Sequence, residues 1–268
     1  MRPNGRFGMS QILGIRPLLT ATHRYDKSLS TRHRGQGEII EAPVLAWLVE
    51  TRNGRILYDV GCDYRKLADP ALRDRYYNPA EFPFGPPDMR EDQRLGAHLA
   101  RLGLTPRDID VVFLGHLHFD HAGGLCEVEG CELHVHADEL AAARAQADGA
   151  YFADEFPEHY AWRVQTGEYD LAPGVRAVAT PGHTAGHMSL VVELPDSGPV
   201  ILCGDAADLR ENLEAEVAPG LCWQEREDLA LASIRKLKGL ATEAGAELWP
   251  NHDIGFYQAR LAGRGQIS

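Results

Sequence analysis

The stretch from Ile109 to Gly124 reads Ile-Asp-Val-Val-Phe-Leu-Gly-His-Leu-His-Phe-Asp-His-Ala-Gly-Gly, and it constrains the chain more than any other. Its apolar half, Val111 to Leu114, has the β-branched and aromatic content of a buried strand and stops at Gly115. His116, His118, Asp120 and His121 follow at once, then the small-residue turn Ala122-Gly123-Gly124. Polar groups at the edge of a core cost free energy unless something binds them. A lone histidine there is ordinarily satisfied by a hydrogen bond. Three histidines and an aspartate between 116 and 121 converge on one small volume instead. A divalent metal ion is the natural partner, because neutral imidazole and carboxylate oxygen are among its usual ligands.

The same arrangement recurs further along. Val175–Thr180 reads as a strand that ends in Pro181-Gly182-His183-Thr184-Ala185-Gly186-His187. Pro199–Cys203 ends in Gly204-Asp205, and Glu247–Pro250 ends in Asn251-His252-Asp253. Four strands thus finish in histidine or aspartate after a small or turn residue. In layered α/β folds such strand ends gather on one rim, where sites are built.

The remaining pattern supplies the scaffold. Strands are expected near Gln11–Leu19, at Pro43–Glu50 and Arg55–Asp59 (a hairpin across Asn53-Gly54), at Glu132–His136 and at Ser189–Leu194. Helices are expected over Arg90–Leu102, over Asp138–Ala147 with Asp138 as N-cap, and over Glu225–Ala244. Residues 23–38 read as a polar loop in which His23 and His33 are solvated. His134 and His136 share one face of a strand and are discounted as ligands. Asp59, at a strand end, either forms a turn or holds a metal ligand from behind. Residues 64–92 interrupt the regular pattern with Tyr76, Tyr77, Phe82 and Phe84 among four prolines, and 148–170 are aromatic and irregular. The first segment suits a lid, packing on its own domain, or a homodimer contact; the second suits another pocket wall.

Composition narrows the function classes. The formal charge of −12 argues against nucleic acid, which needs a basic surface. The 268 residues, 44% hydrophobic and 25% charged, fit one soluble α/β domain spanning 1–268. Five cysteines (62, 126, 131, 203, 222) form no CxxC pair and read as reduced thiols of a cytoplasmic protein. No apolar run reaches membrane-spanning length, and the basic start, Met1 to Arg6, is followed by too broken an apolar run for a signal peptide.

HLHFDHAGG (116–124), TPGHTAGH (180–187), GD (204–205) and NHD (251–253) resemble the metallo-β-lactamase superfamily in order and spacing over roughly residues 40–255. The first two motifs, Glu216 after the Asp205 block and SIRKLK (233–238) most resemble its N-acyl-homoserine-lactone lactonases. The resemblance implies an αβ/βα four-layer sandwich and two divalent metal ions. His116, His118 and His183 would hold one, Asp120, His121 and His252 the other, and Asp205 would bridge them. Zn2+ is the default, although nitrogen and oxygen donors also accept Mn2+, Fe2+ or Co2+. His187 would play a supporting role. The implied chemistry is attack of a metal-bridging hydroxide on a lactone carbonyl, with Asp120 also passing a proton to the leaving oxygen.

Asp208 departs from that pattern: the lactonases carry a substrate-touching tyrosine three residues after the bridging aspartate. An ionised carboxylate cannot donate the same hydrogen bond. Another small lactone is therefore the nearest alternative substrate. A glutathione thioester would call for a basic C-terminal region, where only Arg260 and Arg264 appear. An iron-dependent persulfide dioxygenase would hold one metal and consume oxygen.

Overall fold

The computed structural model describes residues 11–268, so the basic start at Met1–Arg6 lies outside the described residues. Their strands are β1 (Ile12–Asp26), β2 (Ile39–Thr51), β3 (Gly54–Tyr58), β4 (Val111–Phe113), β5 (Glu132–His136), β6 (Trp162–Gln165), β7 (Tyr169–Ala172), β8 (Val175–Ala179), β9 (Met188–Leu194), β10 (Gly198–Leu202) and β11 (Glu247–Trp249). They form a sheet of order β1-β2-β3-β4-β5-β6 and a second of order β11-β10-β9-β8-β7. In the first, β1, β2 and β3 pair antiparallel, and β3 to β6 run parallel. In the second, β10 pairs antiparallel with β9 and parallel with β11.

Four layers follow from the alternation of apolar side chains. Along β2, Leu45, Trp47 and Val49 face the second sheet, meeting Val192, Leu190 and Trp249 between the sheets, while Ala46 and Leu48 face the other way. A run that is apolar on both faces is what a strand covered on both sides requires. Leu95 and Leu99 of the helix Leu95–Arg101 and Leu140 of the helix Ala137–Arg144 cover the outer face of the first sheet. Ile234 and Leu237 of the helix Glu227–Ala244 cover Val178 and Ile201 on the outer face of the second. This is the αβ/βα sandwich.

The departures from expectation are local. β1 runs on to Asp26, taking His23 and Tyr25 out of the expected loop; only His33, with its side chain 72% exposed, is solvated. Thr51 pairs with Gly54, so Arg52 and Asn53 form the hairpin turn and Gly54 opens β3. His136 caps the helix Ala137–Arg144, and Asp138 sits in its first turn. The insertion holds two short helices, Tyr64–Ala68 and Pro70–Tyr76, capped by Asp63 and Asp69. Five- and seven-residue helices are too short to show a 3.6-residue period, though Asp69-Pro70 is a cap followed by Pro at N1. Buried Lys66 pins the insertion to the second irregular segment through Asp154 and Glu155, each 2.8 Å away. Tyr77 and Phe82 pack with Phe119 and Phe152, whereas Phe84 stays exposed. All five cysteines are unpaired. No helix of the described residues is long and apolar enough to cross a membrane.

His98, on the helix Leu95–Arg101, has a structural role. Its Nε2 donates to Leu19 O at 3.0 Å, and its Nδ1 accepts from Arg101 at 2.8 Å, so the pair of contacts suits the neutral ring. Burial, with Arg101 beside it, lowers its pKa below the usual 6.5. The unfolded chain therefore takes up a proton that the folded chain refuses, and His98 contributes stability above about pH 6.5 that is lost as pH falls below it. Urea unfolding of His98→Gln should show a shallower loss of stability between pH 7 and pH 5 than the parent chain; parallel curves would contradict this.

Candidate metal centre

The chain turns that follow β4, β8, β10 and β11 open on one rim of the sandwich. His116, His118, Asp120 and His121 follow β4, His183 follows β8, Asp205 follows β10 and His252 follows β11. All seven expected residues meet there, and all but Asp120 are buried. Glycines permit the close approach: a Cβ on Gly124 would lie 2.1 Å from Val60 O. Gly204 adopts φ +55°, and a Cβ there would strike the His187 ring.

Asp205 lies between two sets of imidazoles. Its Oδ2 is 3.4 Å from His183 Nε2 and 3.7 Å from His116 Nε2. Its Oδ1 is 3.3 Å from the Nε2 atoms of both His121 and His252. Asp120 Oδ2 lies 3.7 Å from each of those two nitrogens. His116, His118 and His183 present ligand atoms within 4.8 Å of one another, and so do Asp120, His121 and His252.

Neighbours aim the rings. His121 Nδ1 donates to Asp59 Oδ2 at 2.7 Å, while Asp59 Oδ1 accepts from Gly115 N at 2.8 Å. Asp59 thus holds a site histidine from behind, resolving its two readings, and does so from a left-handed φ of 57°. His252 Nδ1 donates to Pro43 O, and His118 Nε2 faces Asp148 Oδ2 at 3.3 Å, leaving the other nitrogen of each ring for the site. His187 has the expected supporting role: its Nε2 accepts from Asp205 N–H at 2.9 Å, and burial pushes its pKa down to about 3, which keeps it an acceptor.

Unpartnered atoms show what the cluster lacks. His116 Nδ1 and Nε2, His121 Nε2 and His183 Nδ1 are buried without a hydrogen-bond partner. Burial lowers His116 well below the usual imidazole range and His183 to about 4, so both rings stay neutral. Neutral, unpartnered imidazoles around shared carboxylates fit divalent cations.

The centre forms the floor of a cavity of about 340 Å3. Leu29, Phe82, Phe84, Phe119 and Leu221 give it apolar walls, so both irregular segments and the end of β1 help to line it. His23, expected in solvent, lies among these residues, with Nε2 3.2 Å from Gly85 O. Tyr25 also lines it; burial and Asp208 raise the phenol well above its usual pKa, so it stays a donor. Asp208 is buried in the same wall, where burial and the charge of Asp205 push it up to about 8.

Glu139 was not legible as a site residue. It sits, fully buried, where an alanine-rich helix is expected, and a glutamate on such a helix ordinarily faces solvent. Its Oε1 accepts from Leu117 N and Tyr151 OH, both at 2.9 Å. Its Oε2 accepts from Thr184 Oγ1 at 2.6 Å and Gly186 N at 3.2 Å. One carboxylate thereby ties the loop of His116 and His118 to that of His183.

Residues 39–248 match the model of the metallo-beta-lactamase superfamily. The chain belongs to that superfamily. An N-acyl homoserine lactonase of a Bacillus species is 34% identical over 218 residues, 81% of this chain and 84% of its own. One from Azorhizobium caulinodans is 29% identical over 236 residues, 82% and 86% of the two chains. A solved N-acyl homoserine lactone hydrolase, with the product N-hexanoyl-L-homoserine at its catalytic metal centre, superposes with a TM-score of 0.84 at 30% identity, covering 97% of this chain and 100% of that one. The family match and the His/Asp cluster together make this chain a metal-dependent hydrolase of the metallo-β-lactamase and lactonase type, with a dinuclear metal-binding site.

Glu139→Gln keeps the volume but turns an amide NH2 toward two of the four donors. The expected cost is about 3 kcal/mol, from lost charge-assisted bonds and donors left unpaired. Urea unfolding reads it as a lower midpoint at an unchanged slope; a loss below about 0.5 kcal/mol would show that the clamp contributes little.

Proposed function

We propose that the chain opens the ester ring of N-acyl-homoserine lactones, with His116, His118 and His183 holding one cation and Asp120, His121 and His252 another. Asp205 lies between the two sets, where it would bridge the cations. The observation that carries this reading is a seven-residue His/Asp floor under an apolar-walled cavity, in a chain similar to lactonases. Zinc is the default metal, with manganese, iron or cobalt as substitutes.

Two cations held by these residues would supply a hydroxide nucleophile at neutral pH and polarise a carbonyl. The chain's own residues do the rest. Phe82, Phe119, Leu29 and Leu221 take the acyl chain out of water. Tyr25, a protonated phenol in the wall, supplies the neutral donor that Asp208 cannot supply when ionised. Asp120, with its side chain 15% exposed against 7% for Asp205, is the more open of the two carboxylates and hands a proton to the ring oxygen. Ring opening adds one water across the ester C–O bond: the acyl carbon gains the oxygen, the ring oxygen becomes a hydroxyl, and the amide stays intact.

Charge supports a neutral substrate. Away from the carboxylates that would face the cations, Glu81 and Asp148 line the cavity against the single arginine Arg24. That field disfavours an anionic glutathione thioester. Arg260, one of the two late basic residues, is engaged with Glu247. The reading also takes residues 1–268 as one domain and, from five unpaired cysteines, places it in the cytoplasm.

Proton release should be measured with acyl-homoserine lactones of rising chain length, γ-butyrolactone and a glutathione thioester. The acyl lactones should be turned over best, and His116→Ala should lower kcat/KM by more than the roughly 100-fold typical of outer-shell partners. Turnover of the thioester alone, or oxygen uptake with one iron, would overturn the proposal.

A further inference from the structure

Asp208 is a buried carboxylate with an unanswered oxygen. The residue is 4% exposed, and its Oδ1 has no hydrogen-bond partner. Among the described residues no side-chain cation lies within ion-pair distance of it, and the Ser30 hydroxyl is a polar group that lowers its pKa. An unpaired buried carboxylate is strongly unfavourable. Yet the backbone holds this one in place: Asp208 O accepts from His252 N at 2.8 Å, and Ala207 O accepts from Asn251 N at 3.2 Å. Those bonds bring it to the wall where Asp208, Asp205 and His252 offer ligand atoms within 4.8 Å of one another.

We infer that Asp208 is a further ligand of the second cation, beside Asp120, His121 and His252. The inference rests on the dinuclear reading above and adds to it an oxygen-rich second subsite. Carboxylates at 120, 205 and 208 surround that position, whereas the first subsite is built from three imidazoles and one oxygen of Asp205. Hard oxygen donors suit manganese better than imidazoles do, so the two subsites should differ in metal preference.

Metal-free wild type, Asp208→Asn and Asp208→Ala should be titrated with Mn2+ and with Zn2+ against a fluorescent chelator, with the Tm of each metal-free chain measured alongside. Two ions should bind to wild type. In both variants one affinity should fall about tenfold or more, most for Mn2+, with the other within about twofold. The metal-free variants should melt no lower than wild type, because they lose a buried carboxyl oxygen that has no partner. Two ions held equally well by wild type and variants would overturn the inference and leave the dinuclear reading standing. So would both affinities falling together with the Tm, the mark of a merely structural residue. A wild-type chain that takes up one ion would overturn both.

Discussion

Each oxygen of Asp205 faces a different pair of histidines, 3.3 to 3.7 Å away, and much of the rim is built to keep it there. His187 accepts from its backbone N–H, Asn251 donates to its Oδ1 at 2.9 Å, and Gly204 bends the chain just before it. None of these groups lines the cavity. In the proposed reading they fix the carboxylate because a bridging ligand would have to stand between two cations at once, and a shift of an ångström would favour one over the other.

The sandwich makes that placement affordable in structural terms. Its two sheets bury Trp47, Tyr58, Phe113 and Trp249 between them, and this core is rigid enough to hold polar groups at its edge. The ligand loops are then tied to one another rather than only to their own strands. Glu139 links the β4 and β8 loops, Asp59 reaches from β3 to His121, and Pro43 O in β2 orients His252. The apolar cavity above is lined by parts of the chain with little regular structure, which can vary without disturbing the floor.

The floor was legible in the sequence and the walls were not. His116, His118, His183, Asp205 and His252 announce themselves because each follows a strand through a small or turn residue, a local signal that survives without coordinates. Most strands of both sheets and the long helix at Glu227–Ala244 were legible through periodicity. Glu139 was hidden because a buried glutamate on a helix looks like a solvated one until its four donors, drawn from distant segments, are seen. His23 was hidden because β1 extends past its apolar residues, with β2 supplying the pairing. The strands β6 and β7, four residues each, carry too short a pattern to separate from loop.

The central claim is that seven side chains hold two cations with one carboxylate between them. Anomalous diffraction from crystals of the metal-loaded protein, recorded above and below the absorption edge of the bound metal, tests it directly. The account predicts two peaks: one within bonding distance of His116, His118 and His183, the other of Asp120, His121 and His252, with Asp205 reaching both. A single peak, or two peaks with Asp205 bound to neither, would contradict it.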